Sequence, residues 1–176
     1  MSNHTYSTST IGFLADFKAV TKMGLSISVV FSSLAGYLLA TDVVDLKTLI
    51  LLAIGGYFMV GASNVFNQII ERDLDALMDR TKNRPIPSGR MTVTTAFVLA
   101  IILTLTGLSI LYYINERTAM FGAISICLYT SAYTPLKTKT PLSVFVGAIP
   151  GAIPFMLGWV AATGKFGIEA GVLFML

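Results

Sequence analysis

The stretch SNVFNQIIERDLDALMDRTKNRPIPSGR, residues 63–90, decides how the rest of the chain is read. It continues without a break from an apolar run over 49–61 and has no counterpart elsewhere in the sequence. A helix that persists through its acidic part sets Asn67, Glu71, Asp75 and Asp79 at four-residue steps. At about 100° per residue, Asn64, Asn67, Glu71 and Asp75 then fall within an arc of roughly 80°. One face of a largely apolar helix becomes a row of oxygen ligands. Stacked carboxylates at i, i+4 destabilise a bare helix by a few tenths of a kcal/mol, roughly 0.2–0.5 per pair. An uncompensated charge near a bilayer costs about 2.5–3.5 kcal/mol. A cation offsets both costs, and all-oxygen ligands favour Mg²⁺, commonly shared with substrate phosphates.

The row ends in the opposite sign. Arg80, Lys82, Arg84 and Arg90 follow in a stretch that Pro85, Pro87 and Gly89 keep from being helix. Oxygen ligands for a metal, set beside guanidinium and ammonium donors, make a place for a metal-bound diphosphate. A charged loop obeying the positive-inside rule accounts for part of the pattern, but such a loop needs no helical register of acids.

Composition sets the class. The chain is 55% hydrophobic and only 12% charged, with apolar stretches between short charged breaks. That is a polytopic helical membrane protein, an all-α bundle. Its single Cys127 lies in an apolar segment, so there is neither a disulfide framework nor a thiol-rich metal site. The net charge of +3 is distributed as membrane flanks and implies contact with membrane lipid, not nucleic acid.

Residues 1–22 read as a polar N-terminal tail, without the layout of a cleaved signal peptide. Five complete spans follow, at about 23–40, from about 48 into the acidic row, and at about 93–114, 118–136 and 141–162. Residues 167–176 open a sixth, roughly half of what a crossing needs. Lys18, Lys22, Arg72, Arg80, Lys82, Arg84, Arg90, Lys137 and Lys139 fall on one side, and only Lys47, Arg117 and Lys165 on the other. The positive-inside rule therefore puts the N-terminus and both basic loops in the cytoplasm. Several conspicuous residues read as ordinary: His4 in the tail, Met as packing, Asp42 and Asp45 as turn residues, and Asp73 off the 67/71/75 face.

Two further patterns lie downstream. Tyr129-ThrSerAla-Tyr133-ThrProLeu-Lys137 closes the fourth span, with Thr138 and Lys139 beyond it. Tyr133 reads equally as an interfacial aromatic and as a ligand contact. The fifth span contains GlyAlaIleProGlyAlaIlePro (147–154) and then Gly158-Trp159. Two prolines in one crossing interrupt the backbone ladder, which favours the wall of a buried cavity over a lipid-facing helix.

Asn67-x-x-x-Glu71-x-x-x-Asp75, the ArgThrLysAsnArgPro run at 80–85 and ProSerGlyArg at 87–90 resemble the first Asp-rich motif and following loop of the UbiA superfamily of intramembrane prenyltransferases. Glu71 stands where that motif usually has Asp, and Thr138 where Arg follows the Tyr133…Lys137 pattern. The 147–159 string resembles the heme-type branch more than the quinone-type branches. The resemblance implies a UbiA-like bundle over 23–176 in the bacterial cell membrane. It implies Asn67, Glu71 and Asp75 as ligands to Mg²⁺, and Arg84, Lys82, Tyr133, Lys137 and Lys139 as diphosphate contacts. Asp75, Lys137 and Arg84 would carry catalysis. The expected reaction moves a farnesyl group from farnesyl diphosphate to a vinyl group of heme B, a substrate and not a cofactor, to give heme O. Heme A synthase is the candidate partner.

The superfamily places a second Asp-rich motif in its C-terminal half, which residues 80–176 do not supply, since their only acids are Glu116 and Glu169. The sequence therefore reads as the N-terminal portion of a longer enzyme, inactive alone. Three other functions compete: the same donor chemistry with a quinone precursor or other aromatic acceptor, a membrane cation transporter using the acidic row as its pathway, and a non-catalytic partner or remnant.

Overall fold

The computed structural model describes residues 10–137 and 139–175. His4, the rest of the tail before Thr10, and Thr138 lie outside the described residues. Helices account for nearly all of it: α1 (Thr10–Val20), α2 (Met23–Leu39), α3 (Leu46–Ile70), α4 (Arg72–Leu77), α5 (Val93–Ile114), α6 (Glu116–Cys127), α7 (Thr134–Leu136), α8 (Ser143–Thr163) and α9 (Ile168–Met175). A π-helical segment, Leu128–Tyr133, joins α6 to α7, so that 116–136 form one crossing.

Among the described residues, four helices are long and apolar enough to cross a membrane, with a fifth crossing if α1 and α2 make one span bent by 51°. The expected spans are all present as helices, and the eight-residue α9 stands where the sixth was expected to start. The tail expectation gives way from Thr10 onward. Phe13, Leu14, Phe17 and Val20 recur at helical spacing, and Thr10–Val20 forms α1 ahead of the bend.

α3 is the central element, packed most extensively on α5, while α2 packs on α8. Leu52, Met59, Ala62 and Val65 of α3 meet Ala96, Ala100, Leu103 and Leu111 of α5 in the core. The α2–α8 contact is of a different kind, built on missing side chains. A Cβ on Gly36 would fall on the Phe155 carbonyl, and one on Gly158 would fall on the Ser33 carbonyl. Backbones in direct contact are how apolar helices associate where lipid offers no hydrophobic drive. The outer faces carry exposed Phe31, Leu39, Ile102, Leu105, Val144 and Phe145. With the apolar helices this marks an integral membrane protein.

Pro150 and Pro154 do not divide the fifth crossing. α8 runs unbroken from Ser143 to Thr163 with both prolines inside it, as membrane helices tolerate when neighbours re-satisfy the backbone.

Candidate metal and anion site

The acidic row survives the end of α3. Glu71 leaves ideal helical geometry, with φ −89° and ψ 4°, yet its N–H still donates to Asn67 O at 2.9 Å and its carbonyl accepts from Asp75 N at 2.8 Å. The four-residue step is thereby kept, and Asn67, Glu71 and Asp75 are all buried along one side. Asp73, off that face, is exposed and pairs with Arg72. Asp79 has left the helix and pairs outward with Lys82.

Each member of the row is held by a cation from a different part of the chain. Arg84 Nη1 donates to Asp75 Oδ2 at 2.6 Å, Lys137 Nζ to Glu71 Oε1 at 3.1 Å, and Lys22 Nζ to Asn67 Oδ1 at 3.2 Å. The Asp75 carboxylate is only 5% exposed, so its bond to Arg84 forms largely out of water. Lys22, Glu71, Asp75, Arg80, Arg84 and Lys137 share the wall of one cavity of about 500 Å³. Four cations therefore face two carboxylates.

The 78–90 loop is folded into turns that aim Arg84. Thr81 Oγ1 donates to Asp75 O at 2.9 Å, and Arg84 N donates to Thr81 O at 2.9 Å. Ser88 Oγ caps Arg84 O at 2.6 Å, and Gly89 takes φ 76°, a left-handed conformation that suits glycine. Arg90 is an anchor and not a wall residue: its Nε donates to Asp16 Oδ1 of α1 at 2.9 Å.

Lys22 is the residue the sequence reading missed, having been taken for a membrane flank. It joins α1 to α2 with φ 48° and ψ 57°, and is the one described non-glycine residue at positive φ. That conformation costs an L-residue about 1–2 kcal/mol. Two α3 side chains hold it in place. Gln68 Nε2 donates to Val20 O at 2.7 Å, and Asn64 Nδ2 donates to Thr21 O at 3.1 Å. Asn64 shares the ligand arc but serves the bend and is not in the wall of the polar cavity.

The π-helical segment delivers Lys137 from the other side. Thr134 Oγ1 donates to Tyr129 O at 2.8 Å and accepts from Asn67 Nδ2 at 3.4 Å, tying this segment to the row. Such single-turn π segments commonly mark functional sites. Tyr129 and Tyr133, with ring centroids 5.3 Å apart, do not face the polar cavity. They line a second, mostly apolar cavity of about 540 Å³, walled by Gly147, Pro150, Gly151 and Pro154 of α8. Leu25 and Lys137 border both cavities, which therefore meet at the row.

Of the residues singled out in the sequence, the structure brings together Asn67, Glu71, Asp75, Arg84 and Lys137, and sets Tyr133 at the junction's apolar side. It does not bring in Lys82, paired with Asp79, or Lys139, which is exposed. Arg80 lines the wall where Lys82 was expected. No three His, Cys, Asp or Glu side chains form a metal cage among the described residues. One amide and two carboxylates suit a hard cation that completes its shell with water and phosphate oxygen.

The profile of the UbiA prenyltransferase family matches residues 29–176. The chain belongs to the UbiA prenyltransferase family. Among curated relatives, the protoheme IX farnesyltransferase of Christiangramia forsetii is 68% identical over 176 residues, covering 100% of this chain and 59% of that protein. The protoheme IX farnesyltransferase of Flavobacterium psychrophilum is 74% identical over 164 residues, 92% of this chain and 55% of the relative. The UbiA chain thus spans 55–59% of the length of these two relatives. Among solved structures, a digeranylgeranylglyceryl phosphate synthase superposes with a TM-score of 0.83 at 22% identity, over 92% of this chain and 57% of that one. A UbiA homologue from Archaeoglobus fulgidus bound to DMAPP and Mg²⁺ gives 0.79 at 18% identity, over 90% and 59%. Both show the UbiA fold.

Proposed function

We propose that this chain supplies the diphosphate-binding part of a protoheme IX farnesyltransferase, which transfers a farnesyl group from farnesyl diphosphate to a vinyl group of heme B. The observation that carries the reading is the junction of the two cavities. A cation-rich polar cavity bearing the acidic row opens, past Lys137 and Leu25, into an apolar one within the size range of small-molecule sites, about 300–1,000 Å³. A substrate with a charged head and a hydrocarbon tail matches that division. The names of the relatives supply the acceptor.

Asn67, Glu71 and Asp75 would hold Mg²⁺, which neutralises diphosphate charge when bound. Arg84 and Lys137, with Lys22 and Arg80 beside them, bind the diphosphate oxygens and stabilise the charge that develops as the allylic C–O bond breaks and the electron pair leaves with pyrophosphate. The apolar cavity between Tyr129, Tyr133 and α8 holds the tail and keeps water from the allylic cation. The vinyl π electrons form the new carbon–carbon bond; water then adds at the neighbouring carbon and one proton is released, leaving the hydroxyethylfarnesyl group of heme O. Asp75, Arg84 and Lys137 carry the catalysis.

The Lys/Arg distribution supports a cytoplasmic face for the polar cavity and for the N-terminus, in a bacterial cell membrane, with heme A synthase as the partner that receives heme O. A cation-conducting role is disfavoured, because four cations on the cavity wall repel a passing ion.

The test is heme O formation from heme B and farnesyl diphosphate by an enzyme of the relatives' length carrying these residues. Quinone precursors serve as competing acceptors. Heme O as the main product supports the proposal. A prenylated quinone precursor with no heme O replaces the acceptor, and retention of turnover in Asp75→Ala removes the metal role.

A further inference from the structure

Beside the apolar cavity lies a smaller chamber of about 40 Å³. Ser63 of α3 and Ser125 of α6 border both spaces, while Ser33 of α2 lines the chamber alone. Met59, Leu111 and Leu157 supply apolar wall around them. Three hydroxyls from three helices thus face one small space. Ser33 is only 3% exposed, and its hydroxyl has no hydrogen-bond partner among the described residues. The Ser125 hydroxyl has none among them either. Ser63 Oγ donates to Met59 O at 2.9 Å, which commits its proton and leaves it lone pairs to offer. A buried water needs about 10–15 Å³ of room and roughly 2–4 polar partners, and the chamber supplies both. Hydrocarbon in the same place would leave the Ser33 and Ser125 hydroxyls unpaired, a cost that water avoids.

Resting on the farnesyl-transfer reading above, we infer that this chamber holds the water that completes the reaction, and that Ser33, Ser63 and Ser125 position it. Ser63 stands four residues from Asn67, about 6 Å along α3. A donor with its diphosphate at the row and its tail in the apolar cavity therefore carries its reacting carbon past the chamber's mouth. The vinyl π pair forms the bond to that carbon, and the pair of the broken C–O bond departs with pyrophosphate. The vinyl carbon attached to the heme ring is then electron-deficient and has two fates. Water gives it a lone pair, loses one proton to the pyrophosphate just released, and leaves the hydroxyethylfarnesyl group. With no water in reach, the neighbouring CH2 loses that proton instead, and the product is an alkene lighter by one water. A water that donates to Ser63 and Ser125 at the mouth and accepts from Ser33 behind keeps one lone pair for the cation. Held in this way, it is also kept off the allylic carbon.

The test reads by mass how product divides between heme O and the alkene, in an enzyme of the relatives' length given heme B and farnesyl diphosphate. The ratio is taken per prenylated heme formed, so a general loss of activity does not move it. Ser125→Val and Ser125→Thr have nearly the same shape and differ by a hydroxyl. Val is expected to raise the alkene share about tenfold, the effect of one lost hydrogen bond, and Thr to keep the parent's ratio. Ser33→Ala combined with Ser63→Ala should shift product the same way. Ser109→Ala, on the exposed face of α5, should shift nothing. An alkene share left unchanged by both Ser125→Val and the Ser33/Ser63 double variant overturns the chamber's role, while continued heme O formation upholds the transfer reading. Equal alkene in the Val and Thr variants assigns the effect to shape and overturns the hydroxyls' role as well. A parent enzyme that makes no prenylated heme of either kind overturns the transfer reading and this inference together.

Discussion

The two ends of the helical bundle carry charged residues of the same types and use them differently. At one end Lys22, Glu71, Asp75, Arg84 and Lys137 come from the α1–α2 bend, the α3–α4 junction, α4, the following loop and the end of the fourth crossing, and meet around a shared cavity. At the other end Asp45 caps α3, accepting from Lys47 N at 3.1 Å and Thr48 N at 3.2 Å. The Thr48 hydroxyl holds that carboxyl below the usual range. There Lys47 donates to Tyr113 at 3.0 Å in the open, and Arg117 reaches the Gly164 carbonyl. Asn115 caps α6 through Thr118 N and donates to Val160 O. These contacts finish helices, and none of the residues that make them lines the polar cavity. Convergence and burial separate the ends, and the number of charges does not.

Four substitutions test that contrast, in descending order of effect. Asp75→Ala should reduce farnesyl transfer by about 10²–10³-fold in an enzyme of the relatives' length, the usual loss on removing one electrostatic stabiliser. Steady-state turnover measures it, and a loss of less than tenfold would place Asp75 with the far-end residues. Gly158→Ala should destabilise the bundle by about 1–3 kcal/mol, because the new methyl meets the Ser33 carbonyl at the α2–α8 contact. Thermal unfolding in detergent reports this loss. Pyrophosphate affinity in the folded fraction should stay unchanged, since the contact lies outside the polar cavity. Lys22→Gly should raise stability by about 0.5–1 kcal/mol, the left-handed penalty less the added freedom of an unfolded glycine. A lower melting temperature would show that the ammonium's contact with Asn67 matters more to folding than the backbone strain does. Lys47→Met should shift stability by less than about 0.5 kcal/mol and leave binding alone, as exposed pairs do; a larger change would blur the distinction between the ends.

Most of the architecture could be read from runs of apolar residues, which fix helices by length and composition. The row at 67, 71 and 75 was also legible, because a four-residue step is a local property that outlasted the irregular geometry at Glu71. Positions set by contacts between distant segments were not. Lys22 and Lys18 look alike in sequence, each a lysine before an apolar run. They differ through a bend that side chains more than 40 residues away hold in place. Lys82 and Arg80 exchange their expected places because the turns after α4 decide which side of the loop faces inward. The π-helical segment leaves no trace in the hydropathy pattern, and it sets Tyr133 toward the apolar cavity while Lys137 reaches Glu71. The helical propensity of Thr10–Val20 was legible and was outweighed by the polar tail ahead of it.

The backbone at position 22 also has a consequence for anyone evolving this protein in the laboratory. Screening for heat endurance and screening for product would pull that codon in opposite directions, the first toward glycine and the second toward lysine. A library ranked on melting point alone would therefore accumulate sturdy variants stripped of one of the cavity's four cations, and the loss would begin at a residue far in sequence from every acid in the row.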